Sequence, residues 1–264
     1  MSLNFNNCQI FVGSTGIWCQ NASFSSANGS NPISAIGFQS QVSNAFNAPV
    51  TNSVSISYYL NTAHEPNLPN LSNIKDYVGV DPLNPVLISF GGVSGAFYLK
   101  SYGLTVQPNS LIEANANFQC FNGVSGTLTA KSSDIAYNWF DFANTAYTQI
   151  EGGISTVYNL SYNADIDLLP VFSVGSLFPQ IYRGNVQERI SVVHDLYTGA
   201  KFRPETLLSA INLESITINP LQDTFTNTGV YLALDISQQE VSSFETSIQP
   251  NDIIRFSVEA NKIS

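Results

Sequence analysis

Apolar and polar residues alternate along much of this chain. SVSISYYL (53–60), PVLISF (85–90), AFYLKSYGLTV (96–106) and LIEANANFQCF (111–121) are rich in β-branched and aromatic residues, and several alternate with period two. The pattern returns in STVYNLSYNADI (155–166), ERISVVHDL (188–196), LESITI (213–218), GVYLALDI (229–236) and DIIRFSVEA (252–260), and CQIFVG (8–13) adds a strand near the start. Helical signals are scarce. FRPETLLSAIN (202–212) has Pro204 at a first helical position, Glu205 in the first turn and Leu207, Leu208 and Ile211 on one face. Its counterpart earlier in the chain is PNLSNIKDY (69–77). Gly-Val-Ser-Gly at 92–95 and again at 123–126 reads as turns. The pattern predicts an all-β fold.

The chain also repeats itself. VQPNSLIEANANF (106–118) and IQPNDIIRFSVEA (248–260) share a branched residue, Gln-Pro-Asn, Ser or Asp, then a strand-like run, at an offset of 142. Pro108 and Pro250 fix φ and end the strand before them, and Asn109 and Asn251 tolerate turn geometry. NPISAIGF (31–38) answers LPVFSVGS (169–176) at 138, SVSISYYL answers RISVVHDL (189–196) at 136, and FYL (97–99) answers VYL (230–232) at 133. Four matches in the same order, with offsets that drift by a few residues, predict a duplicated β-sandwich or small barrel, each copy with one short helix. The expected domains are 1–130 and 131–264. The join, around 128–150, is too aromatic for a loose linker, so Trp139, Phe140 and Phe142 are the candidates for pinning the two together.

Composition points to assembly. Of 264 residues 44% are hydrophobic and only 11% charged, so Ser, Thr, Asn, Gln and Gly must build the surface. Few charges leave a monomer poorly protected against self-association, which suits a subunit covered by its own copies or a secreted β-domain. Residues 1–133 carry four acids (Glu65, Asp76, Asp81, Glu113) against three bases (Lys75, Lys100, Lys131), so nearly all of the net charge of −10 falls in the second half. The longest basic cluster is Lys201 with Arg203, which argues against tight nucleic-acid binding. An acidic face could instead let DNA slide past. Cys8, Cys19 and Cys120 match no zinc or redox spacing and read as small apolar residues, with a Cys8–Cys19 bridge possible. No apolar run is long enough to span a membrane, and the N-terminus lacks the features of a leader.

Candidate chemistry is thin. The only histidines are His64 and His194, and the latter sits in a strand-like run beside Asp195. Asp165–Ile166–Asp167 resembles a metal-binding pair, but a solvated turn explains it better. HExxH, P-loop and GxSxG patterns are missing, so no catalytic, metal or cofactor site is expected.

ASFSSANGSNPISAIG (22–37), SVSISYYL and YGLTVQPNSLIEANANFQCF (102–121) together resemble virion structural proteins of tailed bacteriophages, of the marine myovirus-like kind, and the duplicated β-domain with one helix resembles the tail-tube fold. The resemblance implies a non-enzymatic subunit of the virion tail, assembled in the host cytoplasm, whose stacked rings line a DNA channel and meet sheath, neck or baseplate proteins. A tube subunit of this type has one such domain and this chain has two. Three chains per pseudo-sixfold ring is therefore the favoured arrangement, with six chains as the competitor. The segments 38–52 and 178–188 are candidate arms, with Phe38, Val42, Phe46, Leu177, Phe178 and Ile181 as inter-subunit candidates. The alternatives are a capsid decoration, a neck or baseplate ring, or a fibre-type module that binds carbohydrate or a receptor through its aromatic residues.

Overall fold

Fourteen strand residues, Val93–Val106 (β8), form the strand from which the sheet grows in both directions. Inward-facing residues change parity along it. Phe97 and Leu99 are buried on the first stretch, and Tyr102, Leu104 and Val106 on the second. The switch occurs at Lys100, which is left unpaired where Leu99 and Ser101 face Phe118 and Asn117 of Glu113–Cys120 (β9). Such a bulge inserts one residue, so it moves the apolar set back to the core side after the strand bends.

The computed structural model describes residues 10–13, 15–17, 19–27, 30–33, 43–46, 50–59, 74–79, 84–127, 145–149, 157–176, 178–195, 213–218, 232–235, 240–247 and 255–263. The fold is mainly β, and twelve strands join in one antiparallel sheet. Along one side of β8 lie β9 and the short Ser125–Gly126 (β10). Along the other, Val86–Phe90 (β7) pairs with its first half and Val157–Val171 (β12) with its second. Ile10–Val12 (β1) and Thr15–Ile17 (β2) extend from β7. This arm lies over the main sheet: Ile88, Phe90, Val93 and Phe97 face Phe24 and Val54 across a small cavity of about 10 Å³. One core results, with Ile56, Phe97, Leu104, Phe118, Leu160, Tyr162 and Ile190 fully buried. Each such side chain contributes roughly 1.5–3 kcal/mol of burial.

The main sheet runs β3-β6-β9-β8-β12-β13-β17-β16, where β3 is Cys19–Ala27, β6 Thr51–Tyr59, β13 Gln180–Asp195, β16 Glu240–Ser247 and β17 Arg255–Ile263. One row of paired residues across the first four strands is Ala22, Ile56, Ala116, Tyr102. A row across the last four is Leu160, Val192, Val258, Phe244. The offsets between corresponding members are 138, 136, 142 and 142, and each of these values is also an offset between repeated phrases of the sequence. Bulges recur as well, at Gln20 and Tyr158 (138 apart) and at Lys100 and Ser242 (142 apart). Strands from the two halves do not stay separate: β8 pairs directly with β12, Val106 opposite Leu160 through Ser101 opposite Asp165.

The remaining strands form small sheets. Ser30–Ile33 (β4) pairs with Ser43–Phe46 (β5), between β3 and β6 in the chain. Thr145–Gln149 (β11), Leu213–Ile218 (β14) and Leu232–Asp235 (β15) pair in that order, antiparallel, as β1, β7 and β8 do. Among the described residues there is no α-helix; a 3-10 helix, Ile74–Gly79, overlaps the expected 69–77, while 202–212 lies outside them.

Two sequence expectations need correction. The Gly-Val-Ser-Gly stretches are only partly turns: Gly91 and Gly92 turn with positive φ, but Val93–Gly95 belong to β8, and Ser125 and Gly126 pair with Ser94 and Val93. Asp165 and Asp167 are not in a turn; they lie within β12, whose partner strand keeps them extended to Val171. The Gln-Pro-Asn reading holds for Pro108, since Asn109 has φ 57° and Ser110 Oγ donates to the Gln107 carbonyl at 2.8 Å. Pro250 and Asn251 lie outside the described residues.

Cys120 is fully buried and donates to the Asn122 carbonyl; Cys19 is half-buried against the core, and both are free thiols. Cys8 lies outside the described residues. Burial pushes the Cys19 thiol up to about 12 and raises that of Cys120. Stability from keeping these thiols neutral is complete below the unfolded thiol value of about 8.5 and is lost as pH rises through the raised native values. Both are therefore expected to resist maleimide at pH 8 in the native protein and to react in urea, as counted by mass spectrometry.

Parity makes a sharper test. Inserting one alanine between Ser101 and Tyr102 shifts Tyr102, Leu104 and Val106 by one ladder position and turns them to the solvent face, so the chain is expected to lose its urea-unfolding transition, whereas deleting Lys100 leaves Leu99 and Ser101 opposite Phe118 and Asn117 and keeps the parity. Lys100→Ala keeps the backbone count and is expected to stay within about 0.5 kcal/mol of the parent.

Candidate interaction surfaces

The face of the main sheet turned away from the core is built from small uncharged polar groups. Every second residue of β3, β6, β9 and β8 faces outward, which puts Ser23, Ser25, Ser53, Ser55, Ser57, Asn115, Asn117, Ser101 and Thr105 there. These side chains bond across strands. Ser25 and Ser53 hydroxyls lie 2.6 Å apart, Ser55 donates to Asn117 Oδ1 at 2.5 Å, Asn117 Nδ2 donates to Ser101 Oγ at 2.7 Å, and Ser57 donates to Glu113 Oε1 at 2.8 Å. Cross-strand pairs of this sort hold the sheet without salt bridges, so they do not weaken with ionic strength.

On β8, β12, β13 and β17 the same face forms an open groove of about 440 Å³, with Ser101, Asn115, Asn163, Asp165, Arg189 and Asn261 among its lining. Gly103 opens its floor. A Cβ there would meet the Asn115 amide at 2.6–2.7 Å, so the glycine lets that amide lie flat across β8. Arg189 Nε donates to Asn261 Oδ1 at 3.3 Å. Register places Glu113, Asp165 and Glu259 on this face against Arg189. On the core side, Tyr162 donates to Glu188 Oε2 at 2.7 Å, and burial first, then that carboxylate, raise the phenol's pKa.

A second surface is apolar. The β12–β13 hairpin runs on past the core, and Leu169, Val171, Phe172, Phe178 and Tyr182 are each about half exposed near its tip, with Val174 fully so. Among the sequence candidates, Phe178 is at this tip, and Ile181, half-buried, pairs with Pro170. Phe46 lies in β5. Phe38, Val42, Leu177, Trp139, Phe140 and Phe142 lie outside the described residues. His194 occupies a β13 position opposite Val157 and Phe256. Among the described residues no three His, Cys, Asp or Glu side chains come together in a way that could hold a metal ion, and no helix is long and apolar enough to cross a membrane. Phe172 and the Ser/Asn face escaped the sequence search; the alternating polar positions of the strands carried the latter, but were read only as a sign of strand.

No protein-family model and no curated protein matches the chain. Among solved structures it is similar to Dit (gp 19.1) of phage SPP1, described as a paradigm of the hub adsorption apparatus in phages infecting Gram-positive hosts. The identity is 10% over 97% of this chain and 99% of that one, with a TM-score of 0.25. A likeness at that score carries no argument, and the functional reading rests on the strands.

A polar, weakly acidic sheet face should not hold phosphates. The parent protein is expected to show no binding of duplex DNA by fluorescence anisotropy at 150 mM salt. Replacing Asn115 and Asn163 together with Lys is expected to create binding that falls steeply with added salt.

Proposed function

We propose that this chain is a non-enzymatic structural subunit of a phage tail, made of two tandem copies of one β-unit (1–130 and 131–264), and that its rings stack around a DNA channel as tail tube. One observation carries this. The same four-strand register, with bulges at corresponding positions, occurs twice, and the two sets are joined edge to edge through β8 and β12. A unit that already joins its copy through sheet edges within one chain is built to join further copies in the same way.

Two surface features support the reading. The Ser/Asn face offers hydrogen-bonding groups of low charge, which suits a lining past which DNA must move without sticking. The apolar hairpin tip suits contact with a neighbouring chain or ring, since exposed apolar clusters mark interaction sites. Two units per chain favour three chains in a pseudo-sixfold ring, with sheath, neck or baseplate proteins as further partners. A carbohydrate- or receptor-binding module would use its aromatic residues as exposed loop platforms. Phe97, Tyr102, Phe118 and Tyr162 are buried instead, and the exposed Phe172, Phe178 and Tyr182 share the hairpin tip with the aliphatic Leu169, Val171 and Val174, as a protein contact would have it.

Negative-stain microscopy with native mass spectrometry on the purified full chain tests this. Rings or tubes with three chains per ring are the expected result. Six chains per ring would place the second unit outside the channel, isolated single rings would favour a neck or baseplate role, and a monomer persisting at high concentration would overturn the proposal.

A further inference from the structure

The internal join is also a template. At β8–β12, Tyr102 and Leu104 of one edge meet Ala164 and Tyr162 of the other, and the Tyr102 and Tyr162 rings lie 6.3 Å apart, tilted by 55°. All four residues are buried. Among the described residues, β3 pairs only with β6 and β16 only with β17, so the main sheet ends on these two strands. β3 corresponds to β12 at an offset of 138, and β16 to β8 at 142. The sheet therefore ends with the two halves of the same join, one at each edge.

We infer that a second copy of this chain adds its β3 to β16 of the first, antiparallel and in the register of the internal join. Transferring that register through the two offsets pairs Ser23 with Ser247, Phe24 with Thr246, Ser25 with Glu245, Ser26 with Phe244 and Ala27 with Ser243. Phe24 then takes the place of Tyr162, and Phe244 that of Tyr102. The aromatic pair that seals the internal join thus has an aromatic counterpart at each open edge. Burial agrees with this placement: Tyr162 has no exposed surface, while Phe24 is 37% exposed. The rest of β3 is solvent-exposed along almost its whole length, as a strand awaiting its neighbour would be. Because β3 and β16 differ, each added chain leaves one β3 and one β16 free, and head-to-tail repetition builds a ring where the rotation closes.

This inference rests on the ring assembly proposed above and specifies its contact, so the test separates the two. Two double-cysteine variants of the full chain are oxidised during assembly: Ser23→Cys with Ser247→Cys, and Ser26→Cys with Phe244→Cys. They have opposite ladder parity, so one is a hydrogen-bonded pair and the other is not, and both Cα separations, about 5.5 and 4.5 Å, lie within disulfide reach. A shifted control, Ser23→Cys with Ser243→Cys, places the sulfurs four residues apart along the strand, about 13 Å. Interchain disulfides at the two on-register pairs, identified as linked peptides by mass spectrometry and at least tenfold above the control, are expected. Rings visible by microscopy without these links would overturn the register and leave the ring standing. Equal linking of the control would also overturn it, and unlinked monomers would remove both.

Discussion

The pairing of β8 with β12 is the contact on which the rest of the molecule depends. A β-strand edge is a row of unspent donors and acceptors, and a sheet of eight strands halves the number of such edges that two sheets of four would leave. The pairing also closes the core. Leu104, Val106, Leu160 and Tyr162 come from two distant parts of the chain, and all are buried only because these strands lie side by side. Residues 107–156 separate the paired strands, so this join comes at a substantial loop-closure entropy that β8–β9, with its short turn, avoids. The β8–β9 hairpin is therefore the natural place for order to begin, with the second half of the sheet docking afterwards.

Low charge becomes intelligible once the polar face is in view. A sheet surface of Ser and Asn satisfies its side chains by bonding across strands, and each bond removes a group that would otherwise demand water or a counter-ion. Ionic side chains in the same positions would place like charges in adjacent rows. The composition thus reflects the width of the sheet rather than a lack of surface. The cost is a face with little electrostatic repulsion, and edges that only a partner can cover.

Strands whose two faces differ were legible in the sequence. EANANFQC alternates cleanly and became β9, and each strand-like run read from the pattern overlaps a strand among the described residues. Strands with weak alternation were not. Cys19–Ala27 sets Ala22, Phe24 and Ser26 against Asn21, Ser23 and Ser25, a weak contrast, and sits at the edge of the sheet, so only half its pattern is written by burial. Asp165 and Asp167 looked like a turn because they follow a strand-like run and precede Leu-Leu-Pro; β12 tolerates them because both are solvent-exposed. The polar face itself was hidden in plain sight, since a Ser in a strand carries no label for which surface it builds. Offsets between repeated phrases carried more than any single motif, because the same offsets separate matching rungs of the two four-strand rows.

Bulges at Lys100 and Ser242 have one more consequence, and it concerns how such a chain can change over generations. From Tyr102 to Ala116, and from Phe244 to Val258, the spacing is the same 14 residues, because the turn between those strands sets a ladder that no insertion can leave in phase. From Ile56 to Tyr102 the spacing is 46, against 52 from Val192 to Phe244, a difference of six residues between matching rungs of the two rows. Mutational freedom is thus partitioned by geometry. Connections outside the ladders absorb changes in length, while hairpin turns and bulges are held to their residue count even as their residues drift. An epitope or fluorescent insert has the same choice, and its place is a connection outside the ladders rather than a hairpin turn.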